Sequence, residues 1–151
     1  MISNMEEDNM KKYLNVICLG GAAFFLLLNF AFMALPGATV TILGSKATTS
    51  IYKMLENNGI LVVAMVFVII ALCALAFALL VEFKLVAFKF AGFVLLGVAL
   101  FALLAGIFYF CACTGNYDGC DLGVGAVLCG LLCFFAACAS GFVGCMKVLK
   151  K

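Results

Sequence analysis

The reactive element that this sequence supplies in quantity is sulfur. Of its nine cysteines, Cys111, Cys113 and Cys120 crowd around the turn-forming stretch 114–119, while Cys18, Cys73, Cys129, Cys133, Cys138 and Cys145 lie inside long apolar runs. A free cysteine in an apolar run behaves as a small hydrophobe. The three near the turn have two chemical uses. In an oxidising compartment a Cys113–Cys120 or Cys111–Cys120 disulfide would staple the loop, contributing roughly 2.5 kcal/mol by loop-closure entropy for so small a ring. The odd thiol then pairs elsewhere, links to a second subunit, or forms a Cys-x-Cys redox couple with its neighbour. The staple is the preferred expectation. Three thiols in a chain without histidine make an incomplete zinc ligand set, so no metal and no cofactor is expected.

Other polar chemistry is sparse. Asn15 and Asn29 are the only amides inside apolar runs, two heptads apart with Ala22 midway on the same helical face. An amide facing hydrocarbon leaves donors and acceptors unpaired, so this face must look into protein or, near the ends, the interface. The expected use is an interhelical hydrogen bond of about 0.6 kcal/mol, with polar lining of a pore as the rarer alternative. Glu82, Asp118 and Asp121 sit at the ends of the runs, and no catalytic residue is assigned.

The elements that position these residues follow from composition. The 151 residues are 68% hydrophobic and 11% charged, against roughly 45–50% and about 25% for a soluble domain. A single compact soluble domain is excluded. Nine basic residues, all lysine, against seven acids leave +2, without the basic stripe that holds a nucleic-acid backbone.

Four apolar runs, 13–35, 60–81, 85–110 and 122–146, each have the ~20 residues that cross a bilayer as a helix. None alternates as a barrel strand would. The expected fold is an all-α integral membrane protein, a tetraspan with four transmembrane helices in an antiparallel bundle. The first run is too long for a secretory signal core and is expected to be retained. Between the spans lie a tail 1–12, an outer loop 36–59, a short turn 82–84, a cysteine-containing outer loop 111–121 and a tail 147–151. Lys11, Lys12, Lys84, Lys89, Lys147, Lys150 and Lys151 fall on one side against Lys46 and Lys53 on the other. Both termini are therefore expected in the cytoplasm, in a multi-pass protein of a plasma or cytoplasmic membrane.

In lipid, helices associate by close backbone contact, so ridges of small residues are the packing signal. Gly123, Ala126, Gly130, Cys133, Ala137, Ser140 and Gly144 recur at spacings of three and four, and every member is small. Gly92, Leu95, Ala99, Ala102 and Gly106 repeat the pattern less completely, as do Ala64, Phe67, Ala71, Ala74 and Ala78. These faces are expected inward, with large apolar groups toward lipid.

In the first outer loop, residues 39–43 favour extended backbone that Gly44 and Ser45 break. Ser50 is placed to cap a short helix through Ile51, Met54 and Leu55, ended by Asn57, Asn58 and Gly59. An exposed Ile51–Met54–Leu55 face would be an interaction surface; the alternative is that it covers its own bundle. The span layout is similar to that of claudins, tetraspanins and MARVEL proteins. The claudin first-loop Trp and cysteine pair and the tetraspanin Cys-Cys-Gly are missing, so no family is assigned.

The favoured function is non-enzymatic: a structural or interaction subunit that assembles with itself or another membrane protein through small-residue helix faces and stapled outer loops. A small multimeric pore or carrier is the first alternative. A thiol–disulfide redox protein is the second, although quinone-coupled thiol oxidases need a Cys-x-x-Cys pair that no outer loop here provides. The expected partners are the bilayer and protein, not nucleic acid.

Overall fold

In the computed structural model the chain runs α1 (Ile2–Phe32), β1 (Pro36–Ile42), β2 (Ser45–Ser50), α2 (Ile51–Leu55), α3 (Gly59–Glu82), α4 (Ala91–Thr114), β3 (Cys120–Leu122) and α5 (Val124–Leu149). The structure describes residues 2–114 and 120–149, with backbone alone for 2–5, Ile42, Thr114 and Cys120. Four helices, α1, α3, α4 and α5, are long and apolar enough to cross a membrane.

Helix ends differ from those read from hydropathy. α1 begins at Ile2, so most of the expected tail is helical, and Glu7 and Lys11 pair one turn apart along it. α3 ends at Glu82 and α4 starts only at Ala91, which makes the connection longer than the expected turn. Lys84 is the cause. Its φ of 59° is left-handed, its N–H donates to the Val81 carbonyl at 3.0 Å, and the Leu85 N–H donates to the Leu80 carbonyl at 3.1 Å. This is the Schellman closure of a helix, with lysine in the place glycine usually takes, so the stop carries no glycine signal in the sequence.

α1 and α3 each bury one seam at alternating three- and four-residue spacing. On α1 it is Leu19, Ala22, Leu26, Asn29 and Met33; on α3 it is Leu61, Ala64, Val68, Ala71, Leu75 and Ala78. Phe67 and Ala74, expected inward on α3, are only partly buried because Val68 and Leu75 take the centre. α5 packs against both α4 and α1, and α3 against the same two, which closes the helices into a ring. All seven members of the α5 ridge are buried. On α4, Gly92, Leu95, Ala102 and Gly106 are buried and Ala99 half-buried.

The ridges of α4 and α5 meet backbone to backbone. A Cβ built on Gly92 would lie 3.4 Å from the Gly144 carbonyl oxygen, and one on Gly144 would lie 3.2 Å from that of Gly92. Fourteen residues along each helix, a Cβ on Gly106 would lie 3.2 Å from the Gly130 carbonyl oxygen. Large rings also enter this interface, contrary to the expectation that they all face lipid. Phe110 and Phe134 stack at 5.9 Å, Phe110 against Gly130 and Phe134 against Gly106. Glycine leaves the space that each ring fills.

At the end of the bundle away from the termini sits a three-stranded sheet in the order β2-β1-β3. β1 contains Thr39–Ile42 of the segment expected to be extended through Leu43, whose φ of 49° instead begins the turn, and β2, which no hydrophobic alternation announces, pairs with β1 antiparallel. β3 adds on the other edge, with Ala38, Thr39 and Val40 opposite Leu122, Asp121 and Cys120. Backbone pairing thus joins the α1–α3 connection to the α4–α5 connection.

Candidate functional site

The buried polar chemistry of the bundle converges on Asn29. This residue is 0% exposed, and its side chain reaches two other helices. Its Nδ2 donates to the Cys129 carbonyl at 2.9 Å and to Cys133 Sγ at 3.2 Å. Its Oδ1 accepts from the Tyr109 hydroxyl at 3.0 Å. The Cys129 thiol donates in turn to the Asn29 carbonyl at 3.6 Å, and Met33 Sδ lies 3.7 Å from the Tyr109 oxygen. Tyr109 has one proton, and the shorter contact to Asn29 takes it. Cys129 and Cys133 are four apart, so both sulfurs fall on the face of α5 that α1 covers.

Every hydrogen-bonding atom of the Asn29 side chain is thereby used inside the chain. The amide works as an interhelical lock, not as a lining that water or a solute would contact. Asn15, placed with it as an intramembrane polar residue, lies apart from it. It borders a small recess of about 40 Å³ with Lys11, Leu14, Phe142, Met146 and Lys147, near the opposite end of α1.

Two further polar ties secure the end of the bundle that carries the sheet. Asn58 is buried; its Oδ1 accepts from the Ile60 N–H at 3.1 Å and caps α3, while its Nδ2 donates to the Ala112 carbonyl at 3.2 Å on α4. The sequence marks Asn58 only as a helix terminator; the cap was legible in its place directly before Gly59 and a long apolar run. Tyr52 donates from its hydroxyl to the Phe30 carbonyl at 2.6 Å, which fastens α2 to the end of α1. Ser50 precedes α2 as expected but makes no side-chain cap.

The expected interaction surface on α2 does not form. Ile51 and Met54 are buried and Leu55 half-buried, because Gly37 offers no side chain and both pack into its space: a Cβ there would meet Ile51 Cγ1 at 2.7 Å and Met54 Sδ at 3.0 Å. The face covers its own bundle. Beside it a cleft of about 180 Å³ opens between sheet and helix, lined by Val40, Thr49, Lys53, Met54, Asn57 and Asn58 among others.

The cysteines expected in an outer loop also fall differently. α4 continues through Cys111, Cys113 and Thr114, so both thiols lie on its last turn and not in the loop. Residues two apart on a helix point in different directions, and Cys111 is exposed while Cys113 is buried. Both are free thiols, and the Cys-x-Cys spacing does not make a vicinal couple. The Cys120 side chain and the turn 115–119 with Asp118 lie outside the described residues. Among the described residues there is no group of three His, Cys, Asp or Glu side chains placed to hold a metal ion.

Comparison with family models, with curated proteins and with solved structures gives no match to this chain.

Proposed function

We propose that this chain is a non-enzymatic tetraspan, an antiparallel four-helix bundle with cytoplasmic termini in a plasma or cytoplasmic membrane, that acts as a structural or interaction subunit. The reciprocal Gly92–Gly144 approach and the Gly106–Gly130 approach support opposite directions for α4 and α5. The lysine distribution supports the orientation. The small-residue ridges are occupied within the chain, so the surface offered to a partner is the outer sheet.

The observation that carries this reading is Leu43. It sits at the turn between β1 and β2 with φ 49°, followed by Gly44 at φ 83°, and its side chain is 102% exposed. A single exposed leucine is ordinary. One held in left-handed backbone is not, since that conformation costs a residue with a Cβ roughly 1–2 kcal/mol and such turns prefer Asn or Gly. A side chain that strains the turn and gains no burial in the chain itself is accounted for by burial against another molecule. Beside it the edge strand β2 presents an exposed, hydroxyl-rich face from Ser45 through Thr49.

The test is Leu43→Asn in native membranes, with a photo-crosslinker at Thr48 to capture whatever covers the sheet. The variant is expected to fold and to lose the crosslinked species, whether a second copy or another membrane protein. Undiminished crosslinking would overturn the reading.

A further inference from the structure

The cleft between the sheet and α2 is built on one face of β1 and β2. Ala38 pairs with Thr49 across the strands, and Val40 stands two residues along from Ala38, so all three lie on the same side of the pleat. Met54 closes the apolar part from α2, and Lys53 and Asn57 border it with Thr49. Ala38 and Met54 are buried and Val40 half-buried, while Thr49, Lys53 and Asn57 are exposed.

Three polar groups thus meet an apolar floor, and the bundle itself does not use them. Asn58, which also borders the cleft, engages both ends of its amide with Ile60 and Ala112. Among the described residues, by contrast, Thr49, Lys53 and Asn57 make no side-chain hydrogen bond and Lys53 makes no ion pair. No acidic residue among those described lines the cleft.

An apolar pocket with a few convergent polar groups is the usual form of a small-ligand site, and its chemistry narrows the ligand. One ammonium matches one negative charge, and a hydroxyl and a carboxamide beside it supply neutral donors for the remaining lone pairs of a carboxylate. At about 180 Å³ the cleft slightly exceeds the ~150 Å³ cavity that takes up benzene, which fits a ring or branched chain of about six carbons. We propose that this cleft binds a small organic monocarboxylate, its hydrocarbon body on Ala38, Val40 and Met54 and its carboxylate held by Lys53 with Thr49 and Asn57. The inference needs no partner at the sheet and stands independently of the reading built on Leu43.

Full-length protein carrying ¹³C-labelled methionine methyls, in phosphatidylcholine nanodiscs, provides the test, with benzoate as the probe and benzamide as its neutral isostere. The Met54 methyl resonance, assigned through Met54→Leu, is expected to shift saturably with benzoate while that of Met33, inside the bundle, stays in place. Benzamide should bind about fivefold more weakly, the upper range for one exposed ion pair. Lys53→Gln should remove that preference by weakening benzoate alone, and Lys53→Arg should restore it. Lys46→Gln, at the same end but outside the cleft, should change neither affinity. Lys53 and Lys46 are both exposed, so each variant is expected to keep the wild-type helical circular dichroism. Absence of a saturable Met54 shift, equal affinity for benzoate and benzamide, or equal loss in Lys53→Gln and Lys46→Gln would overturn the proposal.

Discussion

The Tyr109 hydroxyl donates to Asn29 Oδ1 at 3.0 Å where both side chains are fully buried, and this bond joins α4 to α1 across 80 residues of sequence. Through the same amide, α1 is tied to α5 at Cys129 and Cys133. Three helices therefore share this polar lock, and removing either partner leaves a buried polar group of the other unpaired.

Tyr109→Phe strands the Asn29 oxygen, and Asn29→Leu leaves the buried Tyr109 hydroxyl with only Met33 Sδ at 3.7 Å, so each is expected to cost about 1 kcal/mol. A double-mutant cycle by reversible unfolding in mixed micelles should give a coupling of roughly 0.6 kcal/mol, the average for interhelical bonds in membranes, and not above about 1.7. Zero coupling would mean that the bond does not form.

Glycines at the head of α5 are under tighter constraint than those inside α1. A Cβ on Gly125 would lie 2.8 Å from the Leu35 carbonyl oxygen and 2.9 Å from that of Pro36, and backbone cannot swing aside as a side chain can. Gly125→Ala should destabilise by about 1–3 kcal/mol. At Gly20 nothing lies within 4 Å, so Gly20→Ala should be neutral or stabilising by up to about 1 kcal/mol. Equal effects in the same unfolding assay would contradict the packing of the sheet onto α5.

Thiol accessibility separates two residues that are nearly adjacent in the chain. With α4 continuous to Thr114, Cys111 is exposed and Cys113 buried. A membrane-impermeant maleimide should label a protein in which Cys111 is the sole outer thiol at least tenfold faster than one in which Cys113 is, since the reagent meets the second only after local opening. Similar rates would place both in a loop.

The strained turn gives a prediction of opposite sign. Leu43→Asn relieves a left-handed leucine and should raise stability by about 1 kcal/mol, read as a shifted unfolding midpoint. Gain of stability together with loss of partner capture is the combination that marks a contact residue. A loss of stability would instead show that Leu43 packs on its own chain.

How far the sequence reached depended on the range of the forces involved. The four spans and the all-small ridge from Gly123 to Gly144 were legible in the chain itself. A run of apolar residues is sorted from water by a sum over neighbours, and that sum needs no knowledge of other helices. The α3 stop at Lys84 and the edge strand β2 were not legible, because lysine is an unusual helix closer and Ser45–Ser50 has no apolar alternation. Which groups met was decided only by the tertiary structure. Hydropathy placed Asn29 on an inward face, but its pairing with Tyr109 and Cys133, the joining of β3 to β1, the burial of Ile51 and the meeting of Lys147 with Glu82 each depend on the rotation and axial register of helices distant in sequence. Directional bonds reach about 3 Å, so a pair is made or lost on displacements far smaller than a helix diameter, and no local pattern of residues records them.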